Sequence, residues 1–238
     1  MSRDRTRQRI LETAADLLKQ GGRDAVSTRA VCLGAGVQSP TIYRIFRDKD
    51  DLLDAVASRG FETYLADKTG LEQTDDPVAD LRRGWDLHIG FGLANPALYA
   101  LIYGDARVGV ESPAARQASA VLAGQIRRIA EAGRLRVTES AAAHLIHSAG
   151  CGMTFTLISI PPDERDLGLS AMARESAIAA ITTDPTPTDE STQLISLAVA
   201  MRAVAPQLTR LSPTEQALLV EWMDRTLAAG DGATTVSE

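Results

Sequence analysis

Residues 27–56, STRAVCLGAGVQSPTIYRIFRDKDDLLDAV, constrain the fold more tightly than any other part of the chain. Ser27 is a good helix N-cap, because its hydroxyl can accept from an orphan backbone N–H. Ala30, Val31 and Cys32 follow on a short helix that Gly34 and Gly36 bring to an end. Val37 plugs the turn. Ser39 then caps a second short helix with Pro40 at its first position, where the missing N–H costs nothing. Ile42 and Phe46, four apart, can both face the first helix, which leaves Gln38, Ser39, Thr41, Tyr43 and Arg44 near the free end or on the outward side. Asp48 caps a third helix, with Asp51 in its first turn and Leu52, Leu53 and Val56 as its apolar stripe, running on toward Lys68. The pattern is a helix-turn-helix followed by a linker helix.

The outward residue types suit DNA. Hydroxyls, a phenol, amide groups at a helix N-terminus and basic side chains are what phosphate oxygens accept, and an amide or guanidinium can also pair with base edges. The DNA contacts expected are Thr28, Arg29, Gln38, Ser39, Thr41, Tyr43, Arg44 and Lys49. Tyr43 and Lys49 should chiefly hold phosphate, and Gln38 or Arg44 should read bases. An ordinary helical hairpin with a polar face would need the short helix, glycine turn, capped second helix and basic flanks to coincide by accident. Charge supports the first reading. Residues 1–49 carry ten Lys or Arg against five Asp or Glu, a net of +5, so the total of −6 leaves −11 for residues 50–238. A basic head on an acidic chain still attracts the phosphate backbone, although the pI is about 5.2.

Residues 5–56 resemble the tetracycline-repressor-like (TetR/AcrR) transcriptional regulators. The resemblance rests on the first helix RQRILETAADLL, Gly21-Gly22, the Ala35-Gly36-Val37 turn, Thr41-Ile42-Tyr43, Phe46, and Lys49-Asp50-Asp51-Leu52-Leu53. Cys32 stands where the family usually has Ala, and is small enough for a helix contact. Ile45 stands where a ring is frequent, so a phosphate contact made by such a ring is lost. The resemblance implies a ligand pocket in the body and a homodimer built by body helices.

The chain reads as all-α: a three-helix head over residues 1–49, a larger ligand-binding and dimerisation body over 50–230, and a frayed tail over 231–238. Arg3 to Lys19 is amphipathic, with Ile10, Ala14, Leu17 and Leu18 as its buried side, and is ended by Gly21-Gly22. Gly70 to Pro77 is a polar break. VADLRRGWDLHIGFGLAN and PALYALIYG are two helices split by Asn95-Pro96. Ser112-Pro113 opens a helix that ends near Gly133, and Thr138 opens another lasting to Pro161-Pro162. LGLSAMARESAIAAI is helical, TTDPTPTDEST is a flexible connection, and two helices follow, with Ser212-Pro213 opening the last.

Candidate ligand contacts are polar or aromatic groups on mostly apolar helices: Trp85, His88, Phe91, Tyr99, Tyr103, His147, Cys151 and Phe155. Such rings at helical spacing also serve as plain core. His144 and His147 could face one way and His88 could join them, but no Cys or carboxylate cluster at ligand spacing accompanies them, so neither a metal nor a cofactor is expected. With no GxSxG, P-loop, HExxH or strand-linked GxGxxG, no catalytic constellation is legible. Cys32 and Cys151 make no disulfide framework, which suits a reducing cytoplasm. The amino end lacks a signal-peptide core, and no uninterrupted run of 18 apolar residues appears, so no membrane is expected.

For the dimer, the Thr138–Ser159 helix offers the small residues Ala141, Ala142, Ala143, Ser148, Gly150 and Gly152. The last helix adds Leu218, Leu219, Trp222 and Met223, although both could instead be internal core helices. The function expected is a homodimeric repressor that sets two reading helices in a palindromic operator and is released by a small apolar or aromatic effector. The alternatives are a ligand-independent activator or nucleoid-type binder and, more remotely, a helical enzyme using His88, His144 and His147.

Overall fold

The computed structural model describes residues 3–70, 73–104, 112–183 and 190–231. Their regular elements are the helices α1 (Arg3–Ala25), α2 (Thr28–Ala35), α3 (Ser39–Ile45), α4 (Lys49–Thr69), α5 (Pro77–Ala94), α6 (Pro96–Tyr103), α7 (Pro113–Glu131), α8 (Glu139–Ser159), α9 (Gly168–Ile181), α10 (Glu190–Val204) and α11 (Pro213–Asp231). Among the described residues, β-type pairing is confined to one isolated bridge between Leu135 and Thr182.

Local chemistry sets most of the helix starts. The Ser27 hydroxyl accepts from the Ala30 N–H and the Asp48 carboxylate from the Asp51 N–H; Ser112 and Thr138 do the same for Ala115 and Ala141. At α11 the capping is reciprocal, because the Ser212 hydroxyl accepts from the Glu215 N–H while the Glu215 carboxylate accepts from the Ser212 N–H. That contact holds the Glu215 carboxyl below its usual range, as the Asp51 N–H does for Asp48.

Three boundaries differ from the sequence reading. Gln38, not Ser39, is the N-cap of α3, and Ser39 and Pro40 begin the helix. Proline is tolerated there because the first-turn N–H groups have no intrahelical acceptor. The Ser39 hydroxyl lies instead 3.6 Å from the Cys32 thiol. Past Lys19 the helical path continues to Gly21 and Gly22, which are non-helical, and a short helical segment runs on to Ala25. Of the expected flexible connection at 182–192, Glu190 already starts α10, and residues 184–189 lie outside the described residues, as does the expected tail from 232 onward.

The chain divides into two compact units. The first comprises the described residues of Met1–Leu71, Leu87–Ala118 and Thr154–Ile160. One part of its core joins Ile10, Leu11, Ala14 and Leu18 of α1 to Val31 and Ala35 of α2, Ile42 of α3, Phe46, and Leu52, Leu53 and Val56 of α4. Gly36 turns the chain between α2 and α3 with a φ of +58°, a conformation that L side chains rarely adopt. The other part joins Ala57, Phe61 and Tyr64 of α4 to Phe91 of α5, Tyr99 and Ile102 of α6, and Ala114 of α7. Helices α4 and α6 serve both parts, and Leu98 and Leu101 pack against each.

Within this unit α5 and α8 approach closely at Gly92, where an added Cβ would come within 2.2 Å of Thr154 Cγ2 and 3.0 Å of the Tyr99 ring. Thr154 and Tyr99 are fully buried, so neither can swing into water. Gly92→Ala is expected to lower the unfolding free energy in urea by about 1–3 kcal/mol through overpacking. Gly90→Ala, which has open space around it, should raise that energy by about 0.5–1 kcal/mol. Equal effects at the two positions would refute the close approach.

The second unit comprises the described residues of Glu72–Asp86, Ser119–Met153 and Pro161–Glu238. Asp80, at the start of α5, accepts hydrogen bonds from the Thr74 N–H and hydroxyl and pairs with Arg83 and, from α7, Arg128. Arg174 of α9 bridges Asp86 and Glu175, and Arg82 completes a run of four charges by pairing with Glu175. Arg127 and Arg202 both reach Glu139, and Arg202 also pairs with Asp224, which ties α7, α8, α10 and α11 together. By length and composition alone α8 could cross a membrane, a property missed by counting uninterrupted apolar residues, and 28% of its most apolar stretch is buried.

Candidate nucleic-acid interface

On α3, Ile42 is buried at 3% exposure, and Phe46 just beyond it at 2%, which anchors the helix to the head core. Its other side presents Gln38, Ser39, Tyr43 and Arg44, all exposed, while Thr41 is half-buried. Thr28 and Arg29 open α2; the first is half-buried and the second exposed. Arg44 and Arg29 form no ion pair with an acid among the described residues. Lys49 is exposed at the first turn of α4, where its ammonium lies 3.4 Å from the Arg23 carbonyl.

The helix ends that frame this surface are tied down. The Arg23 guanidinium pairs with Asp50 at 2.9 Å, joining the segment after the Gly21-Gly22 break to the start of α4. Arg59 of α4 pairs with Glu12 of α1 at 3.2 Å, and the Arg7 guanidinium stacks 5.6 Å from the Phe46 ring centre. Arg47 is absent from the contacts expected of the sequence. Its side chain is 83% exposed immediately after α3, and its position beside the acidic run of α4 masks it in the sequence; it pairs with Asp48 at 3.2 Å. The half-buried Cys32 and Ile45 pack against the head core.

Five of the eight candidate ligand residues gather in the first unit. The His88 Nε2 lies 2.8 Å from the Tyr99 hydroxyl, and its Nδ1 lies 3.5 Å from the Tyr64 hydroxyl. Tyr103 sits edge-on to His88 at 5.6 Å, Phe155 edge-on to Tyr99 at 5.1 Å, and Phe91 stacks on Tyr64 at 4.4 Å. Phe61 and Tyr64 of α4 belong to this cluster but escape the sequence reading, in which the α4 stripe ends at Val56. Trp85, His147 and Cys151 fall in the second unit. There Trp85 is 4% exposed and donates its indole N–H to the Ser170 hydroxyl at 3.0 Å, whereas His147 and Cys151 share one side of α8. No group of three or more His, Cys, Asp or Glu side chains suited to a metal occurs among the described residues.

Compared with known proteins, residues 10–56 match the family described as bacterial regulatory proteins, tetR family. The chain is 29% identical over 125 residues to the HTH-type transcriptional regulator Rv1816 of Mycobacterium tuberculosis, covering 49% of this chain and 51% of that one. It therefore spans about half the length of that relative. Over 48 residues it is 44% identical to the class A tetracycline repressor protein from transposon 1721 of Escherichia coli, 20% of this chain and 22% of that protein. In fold it is similar to SmeT, the repressor of a multidrug efflux pump of Stenotrophomonas maltophilia, with a TM-score of 0.58 at 21% identity over 77% of this chain and 96% of SmeT. Residues 10–56, which form the helix-turn-helix with its exposed Gln38, Ser39, Tyr43 and Arg44, are thus similar to the bacterial regulatory proteins of the tetR family, and the chain shares its helical fold with SmeT.

Proposed function

We propose that the chain is a cytoplasmic, homodimeric transcriptional repressor that binds a palindromic operator and is released by a small apolar or aromatic effector. The observation that carries this reading is the sharing of α4 and α6 between the head core and the aromatic cluster around His88. An effector that rearranges Tyr64, His88 or Tyr99 must displace helices that also carry Val56, Leu98 and Leu101, on which the head packs. The energy available for release is the difference between the effector's affinities for the two arrangements.

The DNA contacts in this reading are Thr28, Arg29, Gln38, Ser39, Thr41, Tyr43, Arg44 and Lys49, with Arg47 added. The effector contacts are His88, Phe91, Tyr99, Tyr103 and Phe155, together with Tyr64. Dimerisation uses α8 and α11. Leu145 is 44% exposed, Leu218 40% and Trp222 52%, so each helix presents apolar surface that a second copy would cover. The chemistry is recognition rather than turnover.

Selection of bound duplexes from a random DNA pool by the full-length protein tests the proposal, followed by fluorescence anisotropy of the best site at two salt concentrations. A palindrome is expected, with affinity falling steeply as salt rises because each phosphate contact releases counterions. No enriched site, or one without two-fold symmetry, would overturn the dimeric repressor.

A further inference from the structure

We propose that Gly22 is a positioning residue of the DNA interface: its backbone fixes the carbonyl that holds the Lys49 ammonium ready for a phosphate. The inference rests on the reading of Lys49 as a phosphate contact. Gly22 has a φ of +65° and a ψ of −163°. That region of backbone space is essentially open to glycine alone, and any other residue there is strained. The turn carries residues 23–25 to the start of α4, where Arg23 makes two contacts. Its guanidinium pairs with Asp50 at 2.9 Å, and its carbonyl accepts from the Lys49 ammonium at 3.4 Å. The same carbonyl accepts from the Val26 N–H at 3.3 Å, and Val26 is buried in the head core. The acceptor that holds Lys49 is therefore anchored to the core.

The kind of partner matters. Three acids flank Lys49, and each is engaged elsewhere: Asp48 by the Asp51 N–H and Arg47, Asp50 by Arg23, and Asp51 by the Arg47 N–H. A carboxylate partner would neutralise the ammonium and would have to be displaced by DNA. A carbonyl leaves the positive charge whole. With three donors, the ammonium can keep the carbonyl and still bind a phosphate oxygen. Lysine has among the largest rotamer freedom to lose on binding, and a lysine already held loses less. Gly22 thus acts through Lys49 on affinity for any duplex, and not on base reading.

A double-mutant cycle on the full-length protein tests the assignment, read by fluorescence anisotropy on the selected operator and on a scrambled duplex. Gly22→Ala puts its methyl group into open space, so it acts through the backbone alone. It should weaken binding to both duplexes by about threefold to tenfold, and should cost nothing further once Lys49 is replaced by Ala. The charge-neutral combination of Arg23→Gln with Asp50→Asn should do the same. It cuts a partly exposed ion pair that contributes little to the fold, so it carries the test where Gly22→Ala does not fold. Parent affinity in Lys49→Ala overturns the phosphate contact and the positioning with it. If Lys49→Ala weakens binding but Gly22→Ala and the neutral combination have no effect, or lose as much in the Lys49→Ala background as in the parent, the positioning is overturned and the contact stands.

Discussion

Arg44→Ala is expected to weaken binding to the selected operator by about tenfold or more while changing affinity for unrelated duplex little. Arg44 is exposed on α3, on the side away from Ile42, and makes no ion pair with an acid among the described residues. Its guanidinium is therefore available to a guanine edge, and a bidentate contact of that kind is worth about 1–3 kcal/mol of discrimination. Removing a side chain with no such partner should leave the unfolding midpoint in urea unchanged, which separates loss of reading from loss of fold. Lys49→Ala should behave differently. A phosphate contact carries no sequence information, so its loss should lower affinity for every duplex alike and reduce the salt slope by about one. Anisotropy titrations of both variants on operator and scrambled duplexes distinguish the roles. Full affinity and specificity in Arg44→Ala would mean that the reading face is wrongly assigned.

The head, and several helix starts beyond it, are legible in the sequence because their determinants are local. Ser27, Asp48, Ser112, Thr138 and Ser212 each cap a helix within three residues of themselves, and Ile42 and Phe46 find the core through spacing alone. Local pattern fails where two solutions differ little in energy. A proline is as well accommodated at the second helical position as at the first, so the cap of α3 lies one residue earlier, at Gln38. The aromatic cluster around His88 is half legible. Phe91, Tyr99, Tyr103 and Phe155 stand out as rings on apolar helices, but Phe61 and Tyr64 lie beyond the part of α4 whose stripe is regular enough to read. Trp85 falls in the other unit because the division lies within α5, between Asp86 and Leu87, where no proline or glycine pair marks it. Long-range ion pairs such as Arg128 with Asp80 and Arg82 with Glu175 have no sequence signature, since each partner could equally be a solvated surface charge.

The second large effect expected is on stability, at Asp80. Its carboxylate is 5% exposed, and burial alone would push its pKa up. The hydrogen bonds from the Thr74 hydroxyl, the Arg128 guanidinium and the Thr74 N–H, with the charge of Arg83, more than offset that and hold it at about 2, against 3.8 for an ordinary Asp. A carboxylate whose folded pKa is depressed contributes stability that is complete above the unfolded value and is lost as pH falls through the folded one. The shift corresponds to about 2 kcal/mol at neutral pH, an upper figure because Arg83 and Arg128 remain partly in water. Asp80→Asn keeps the shape and one acceptor but removes the charge, leaving two guanidinium groups without their shared partner. It is expected to lower the urea midpoint at pH 7 by an amount equivalent to about 2 kcal/mol. The gap between variant and parent should close progressively as pH falls from about 5 toward 2, because the parent then protonates the same group. A gap of constant size across that range would show that Asp80 acts through shape and hydrogen bonding alone, and that its ion pairs with Arg83 and Arg128 contribute nothing net to the unit they join.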